Sequence, residues 1–191
     1  MKQATLLTAF LTVASFSFAR TSNGVKSYSD TSLIKGPAIH EMLQQVVKAT
    51  GLQSTNFELK EANVLNIEAS ISHRKRYILY NPTFIASLNK VTKDKWSVMA
   101  LLAHEVGHHL NGHTIRKGGS TPELELQADE FAGFILHKLG ATLQQSQNVM
   151  HYIAKTKASG THPARSSRLL AIEKGWNKAS ASEQMNDTAQ Q

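Results

Sequence analysis

His104-Glu105-Val106-Gly107-His108 sets two imidazoles four residues apart, with a carboxylate directly after the first. On a helix, residues four apart lie on one face, so both rings can meet one tetrahedral metal ion. Glu105 then projects beside the metal, where it can take a proton from an attacking water. The run from Val98 to Ala103 is wholly apolar and leads straight into the motif. That lead-in predicts a buried helix, and two histidines and a glutamate continuing a buried helix need partners.

A catalytic zinc ion usually takes three protein ligands and keeps a fourth position for water. The chain contains no cysteine, so any metal must be held by histidine and carboxylate. The stretch from Glu123 to Gly133 supplies the candidates: Glu125 and Asp129 lie four apart on one helical face. Two carboxylates so placed repel unless a cation or donor stands between them. The natural assignment gives Glu125 the metal and Asp129 a hydrogen bond to the outer nitrogen of a ligand histidine, fixing its tautomer. Ala128, Ala132 and Gly133 make this helix slim, so it is expected to approach the His104 helix closely. A third-histidine pattern, HExxHxxGxxH, fails. Asn111 stands where the glycine should be and Thr114 where the histidine should be, while Gly112 and His113 are each one residue out of register. His109 and His113 are left as packing or supporting residues.

The HEVGHH stretch at His104–His109, followed by ELQADEFAG at Glu125–Gly133, resembles the M48 family of zinc metallopeptidases, whose pattern is HExxH and then ExxxD on a later helix. The segment Thr161-His162-Pro163 with Arg168 is similar to that family's His-Pro element. The likeness covers about residues 60–175. It implies one Zn2+ held by His104, His108 and Glu125, with Glu105 as catalytic base. It also implies that His162 either stabilises the oxyanion or occupies the open zinc position in a resting state, and that Arg168 helps hold the site. The chain departs from the membrane-embedded and helical-repeat branches of the family, so substrate preference is not carried over.

The first nineteen residues have a positive start, an apolar middle and a small-residue ending at Ala19, the pattern of a signal peptide cleaved after Ala19. Residues 20–35 read as a polar, flexible arm, 36–176 as one metallopeptidase domain and 177–191 as a disordered tail. After the leader no segment approaches a membrane span, so an exported protein, periplasmic or secreted, is expected. The formal charge of +7 is spread along the chain. Its one dense cluster, His73 to Arg76, has no interleaved aromatics and reads as a solvated hairpin turn rather than a nucleic-acid site.

The elements that must position these residues follow from periodicity. A helix is expected from Ala38 to Thr50, then three strands at Asn56–Lys60, Asn63–Ile71 and Lys75–Tyr80. A short helix starts at Pro82, and the motif helix is expected from about Lys93 to His113. A further helix opens at Thr121-Pro122, with Thr121 or Ser120 as its cap, and runs to Leu139 before Gly140. Helices at Ala141–Ala158 and Pro163–Trp176 complete the chain. The expectation is an α+β fold, predominantly helical: a zincin-like domain with a small antiparallel sheet packed on the motif helix.

Two zinc-dependent functions remain open at this level, beside a basic periplasmic binding module whose histidines are incidental. One is a zinc endopeptidase cutting unfolded or misassembled polypeptides, the substrate added as a strand beside Arg76 to Tyr80. The other is a zinc-binding chaperone or assembly factor with little turnover. Nothing in the sequence sets the oligomeric state.

Overall fold

The computed structural model describes residues 36–116 and 119–188. The leader and arm expected over residues 1–35 lie outside this range. Helix α1 (Gly36–Ala49) buries Ile39, Leu43 and Val46, a stripe at helical spacing, and Gly51 ends it at φ 86°. Strands β1 (Phe57–Glu61), β2 (Ile67–Ser72) and β3 (Lys75–Tyr80) follow.

The sheet is mixed, not antiparallel. Its order is β1-β3-β2, with β1 parallel and β2 antiparallel to β3. β3 carries the buried Ile78 and Tyr80 and takes the centre, where both edges of the strand are paired. The more polar β1 and β2 flank it, as suits strands open to water on one side. The β2–β3 hairpin turns at His73 and Arg74, both at positive φ (49° and 65°). Two such residues match the right-handed twist of the flanking strands. The basic cluster is therefore the turn the sequence predicts.

Helix α2 (Pro82–Thr92) is capped by Asn81, whose side chain accepts from the N–H groups of Thr83 and Phe84. The motif helix α3 (Trp96–Leu110) is shorter than expected at both ends. At its start, Asp94 accepts from the Ser97 N–H at 2.8 Å, an anchor that sets the first turn. At its end, Gly112 adopts φ 71° and reverses the chain into a 3-10 turn at His113–Ile115. Every residue from Ser97 to His109 is buried, so α3 is the spine of the core.

Helix α4 (Pro122–Lys138) opens as expected on Thr121, whose hydroxyl accepts from the Leu124 N–H at 3.4 Å. Thr121, not Ser120, is the cap. The single helix expected after Gly140 is instead two short ones, α5 (Leu143–Gln147) and α6 (Met150–Ile153). Two side-chain bonds pin the segment between them: Asn148 donates to Asp94 at 2.6 Å and Gln147 to the Leu169 carbonyl at 2.9 Å.

Helix α7 (Arg165–Thr188) continues twelve residues past Trp176, through most of the expected disordered tail. Ala179 is buried, and α7 packs chiefly on α4. Lys174 and Lys178 both pair with Glu130 of α4, and the ring of His137 meets Trp176 edge-on at 4.4 Å. These contacts give a polar sequence a surface to fold on. Two glycines set the approach of the helices. A Cβ at Gly133 would overlap the Ile172 carbonyl, and one at Gly175 the Glu130 carbonyl. Gly133 is thus slim for α7, not for α3 as expected. Toward α3 it is Gly107 that makes room: a Cβ there would stand 2.9 Å from the Phe131 ring. Among the described residues, no helix is long and apolar enough to cross a membrane.

Candidate metal centre

α3 brings His104 and His108 to one face, and α4 sets Glu125 against them. The two imidazole Nε2 atoms lie 3.0 Å apart. Glu125 Oε2 is 3.5 Å from His104 Nε2, and Oε1 is 3.6 Å from His108 Nε2. A tetrahedral ion with ligands at about 2.0–2.2 Å spaces neighbouring ligand atoms by roughly 3.3 Å, close to the Nε2–Nε2 distance and to that from each Nε2 to its nearer Glu125 oxygen. All three residues are buried, and among the described residues this is the group that could hold a metal ion. Buried nitrogen and carboxylate donors converging on one point are what such an ion requires.

Each donor is held from behind. His104 Nδ1–H donates to Asp129 Oδ1 at 2.9 Å, as the sequence predicts. Asp129 is fully buried and accepts two more bonds, both of 2.7 Å, from the Nε and a terminal nitrogen of Arg168. The same guanidinium reaches within 3.9 Å of Glu125. Burial favours a neutral Asp129, but the Arg168 bonds and the charge of His104 outweigh it and hold the carboxyl below its ordinary range. Burial likewise opposes ionisation of Glu125. The nearby imidazoles of His104 and His162 and the bond from Ser120 overcome it, and the carboxyl sits well below the usual value. Burial also disfavours a charged His104, yet the carboxylate of Asp129 raises its pKa far above the ordinary imidazole value. His108, buried and beside that charge, is pushed down to about 3.

Glu105 sits on the same helix but faces the sheet. Its Oε2 accepts from the Ala69 N–H at 2.6 Å. Ala69 lies on β2, the outer strand beside the site, so this N–H comes from the strand's unpaired edge. The strand expected to offer a free edge, Arg76 to Tyr80, is instead the covered centre of the sheet. Burial raises Glu105 to about 7, with His104 and the Ala69 bond pulling the other way. A carboxylate poised near neutrality suits a group that takes and returns a proton.

His162 reaches the centre from the turn before α7. Its backbone pairs with Ser159, and its Nδ1 is buried without a hydrogen-bond partner, 3.6 Å from Glu125 Oε2. Seven residues singled out from sequence, His104, Glu105, His108, Glu125, Asp129, His162 and Arg168, are thus brought together.

Sequence reasoning missed the contact of Ser120 and the part of Gln127, and left His113 only as a packing or supporting residue. Ser120, weighed only as a cap, donates to Glu125 Oε1 at 2.5 Å. His113, folded back by the Gly112 turn, stands with Nδ1 3.0 Å from His108 Nδ1. Its Nε2 is 3.0 Å from Gln127 Oε1 of α4. The odd spacing of five from His108 could have flagged it only with the helix end known. His109 is a packing residue. Its ring stacks on Phe57 at 5.0 Å, its Nε2–H donates to the Tyr77 carbonyl at 2.9 Å, and its Nδ1 accepts from Thr114 at 3.2 Å.

Comparison of the chain with protein-family models, with curated proteins and with solved structures finds no match in any of the three.

Proposed function

We propose that the chain is an exported, zinc-dependent endopeptidase with a zincin-like fold, of the kind the M48 resemblance implies. The observation that carries this is one arrangement. Two imidazoles and a carboxylate form a buried metal-sized triangle, and a second carboxylate, Glu105, stands beside it against a strand edge. Two nitrogens and one oxygen suit zinc among the common divalent ions. Bound there, zinc would supply Lewis-acid polarisation of the scissile carbonyl and of the attacking water.

The chain's own residues do the rest. Glu105 accepts the water's proton and delivers it to the leaving amine, which moves one proton and needs no other acid. His162, whose buried Nδ1 has no partner, supplies a donor for the developing oxyanion. Asp129 and Arg168 hold His104 in register. The free edge of β2 binds the substrate as an added strand. Such binding reads backbone rather than side chains, which favours unfolded or misassembled polypeptides exported with the enzyme.

The test is cleavage of a diverse unfolded-peptide library by the mature, zinc-loaded protein, with Glu105→Gln alongside. Cleavage should appear in the wild type and fall by at least about a hundredfold in the variant, as expected for loss of a general base. Equal cleavage by both would sink the mechanism. Failure of both, with chaperone activity intact in each, would select the alternative of a zinc-binding assembly factor.

A further inference from the structure

The two histidines are supported differently. His104 is backed by Asp129, a carboxylate that can only accept. His108 is backed by another imidazole, His113, which can accept or donate through either nitrogen. Behind His113 stands Gln127, on the outside of α4, with its carbonyl oxygen toward the ring.

From this geometry we infer that His113 and Gln127 form a polarity-setting relay for His108. The relay fixes the tautomer that leaves Nε2 free to bind the metal. The inference rests on the metal reading above and names how the second histidine of that site is prepared.

The row of rings admits only two directions. In one, His108 Nδ1–H donates to His113 Nδ1, and His113 Nε2–H donates to Gln127 Oε1. His108 Nε2 then keeps its lone pair. In the other, Gln127 donates, His113 carries its proton on Nδ1, and His108 must accept there. Its own proton is then forced to Nε2, where a metal would have to bind. Only the first direction makes a ligand, and it is the one in which the carbonyl oxygen of Gln127 faces Nε2 at 3.0 Å.

The position of His113 follows from the end of α3. Gly112 in the left-handed region turns the chain so that His113 falls back beside His108 rather than continuing outward. The ring meets His108 edge-on, with centroids 5.1 Å apart and planes 74° apart, a placement compatible with a hydrogen bond between the ring nitrogens. His113 is a positioning residue. It acts on the metal only through His108.

Competition with a chromophoric chelator gives the zinc affinity of wild type, His113→Leu, His113→Asn and Gln127→Met. Loss of a partner behind a ligand histidine typically weakens binding roughly ten- to a hundredfold. His113→Leu should fall in that range, and His113→Asn should recover most of it, because an amide oxygen can accept from His108 Nδ1. Gln127→Met lies on the exposed face of α4 and should leave the thermal midpoint of the chelated protein unchanged while weakening zinc severalfold. Long-range nitrogen–proton NMR reads the relay directly. His108 should carry its proton on Nδ1 in the wild type and show a mixture in Gln127→Met. If the wild type binds zinc and the folded variants bind it within about twofold, with His108 unchanged by NMR, the relay is wrong and the metal site stands. If the wild type itself does not bind zinc, the metal reading fails and the relay with it. Should His113→Leu not fold, Gln127→Met and the tautomer decide.

Discussion

Arg168 and His104 share Asp129, and a fully buried carboxylate holding both donors makes each depend on the others. Removing one partner of such a group leaves a charge without compensation. Arg168→Leu should therefore cost about 3–5 kcal/mol of stability, read by denaturant unfolding of the chelated protein. Asp129→Asn keeps the shape and removes the charge, and it should weaken zinc binding roughly ten- to a hundredfold. His109 gives a pH dependence of known sign. Burial lowers its pKa, against its bond to the Tyr77 carbonyl. The folded chain thus holds His109 neutral at pH values where the unfolded chain has already taken a proton. The stability it contributes is complete above the ordinary imidazole value, about 6.5, and is lost as pH falls below it. His109→Gln should flatten the fall in unfolding free energy below about pH 6.5 in the chelated protein. An unchanged slope would remove His109 from the account. At this scale much of the site was legible, because HExxH and ExxxD each require one helical face. Ser120, Gln127 and the Ala69 N–H were not, since a hydroxyl, an amide and a backbone group become partners only once loops and strands are placed.

Between elements, the controlling contact is that of α4 with α7. Gly133 and Gly175 let each backbone meet the other's carbonyl, and α7 is the element that delivers Arg168 to Asp129. Gly175→Ala must push the helices apart. It should lower stability by about 1–3 kcal/mol, the usual cost of overpacking. It should also weaken zinc binding by shifting Arg168, whereas an alanine at Gly140, with open space around it, should leave zinc binding unchanged. Equal affinity in Gly175→Ala and wild type would show that α7 does not support the site. Starts of helices were readable where a side chain caps them, as at Thr121 and Asn81. Ends were not: α3 stops at Leu110 because Gly112 turns the chain, and α7 runs on because Glu130, His137 and the buried face under Ala179 receive it. Strand pairing escaped for a related reason. Local alternation says that β3 is apolar, but that it lies between β1 and β2 depends on which partner covers its second edge.

For the molecule as a whole, α3 is a buried spine with the sheet on one side and α4 on the other, and the donors are shared between α3 and α4. An ion bound there ties two successive helices together. Zinc at a hundred times its dissociation constant should stabilise the fold by about 2.7 kcal/mol, visible as a rise in thermal midpoint that chelation reverses. The α+β class was legible from the order of periodic stretches, and so was the burial of the motif helix. The mixed topology and the β2 edge at Glu105 were not, because they follow from long-range pairing. The most direct test of the central claim is anomalous diffraction at the zinc edge from crystals grown with zinc. One peak per chain is expected, about 2.0–2.2 Å from His104 Nε2, His108 Nε2 and a Glu125 carboxylate oxygen. No peak there, or one held by other residues, would contradict it.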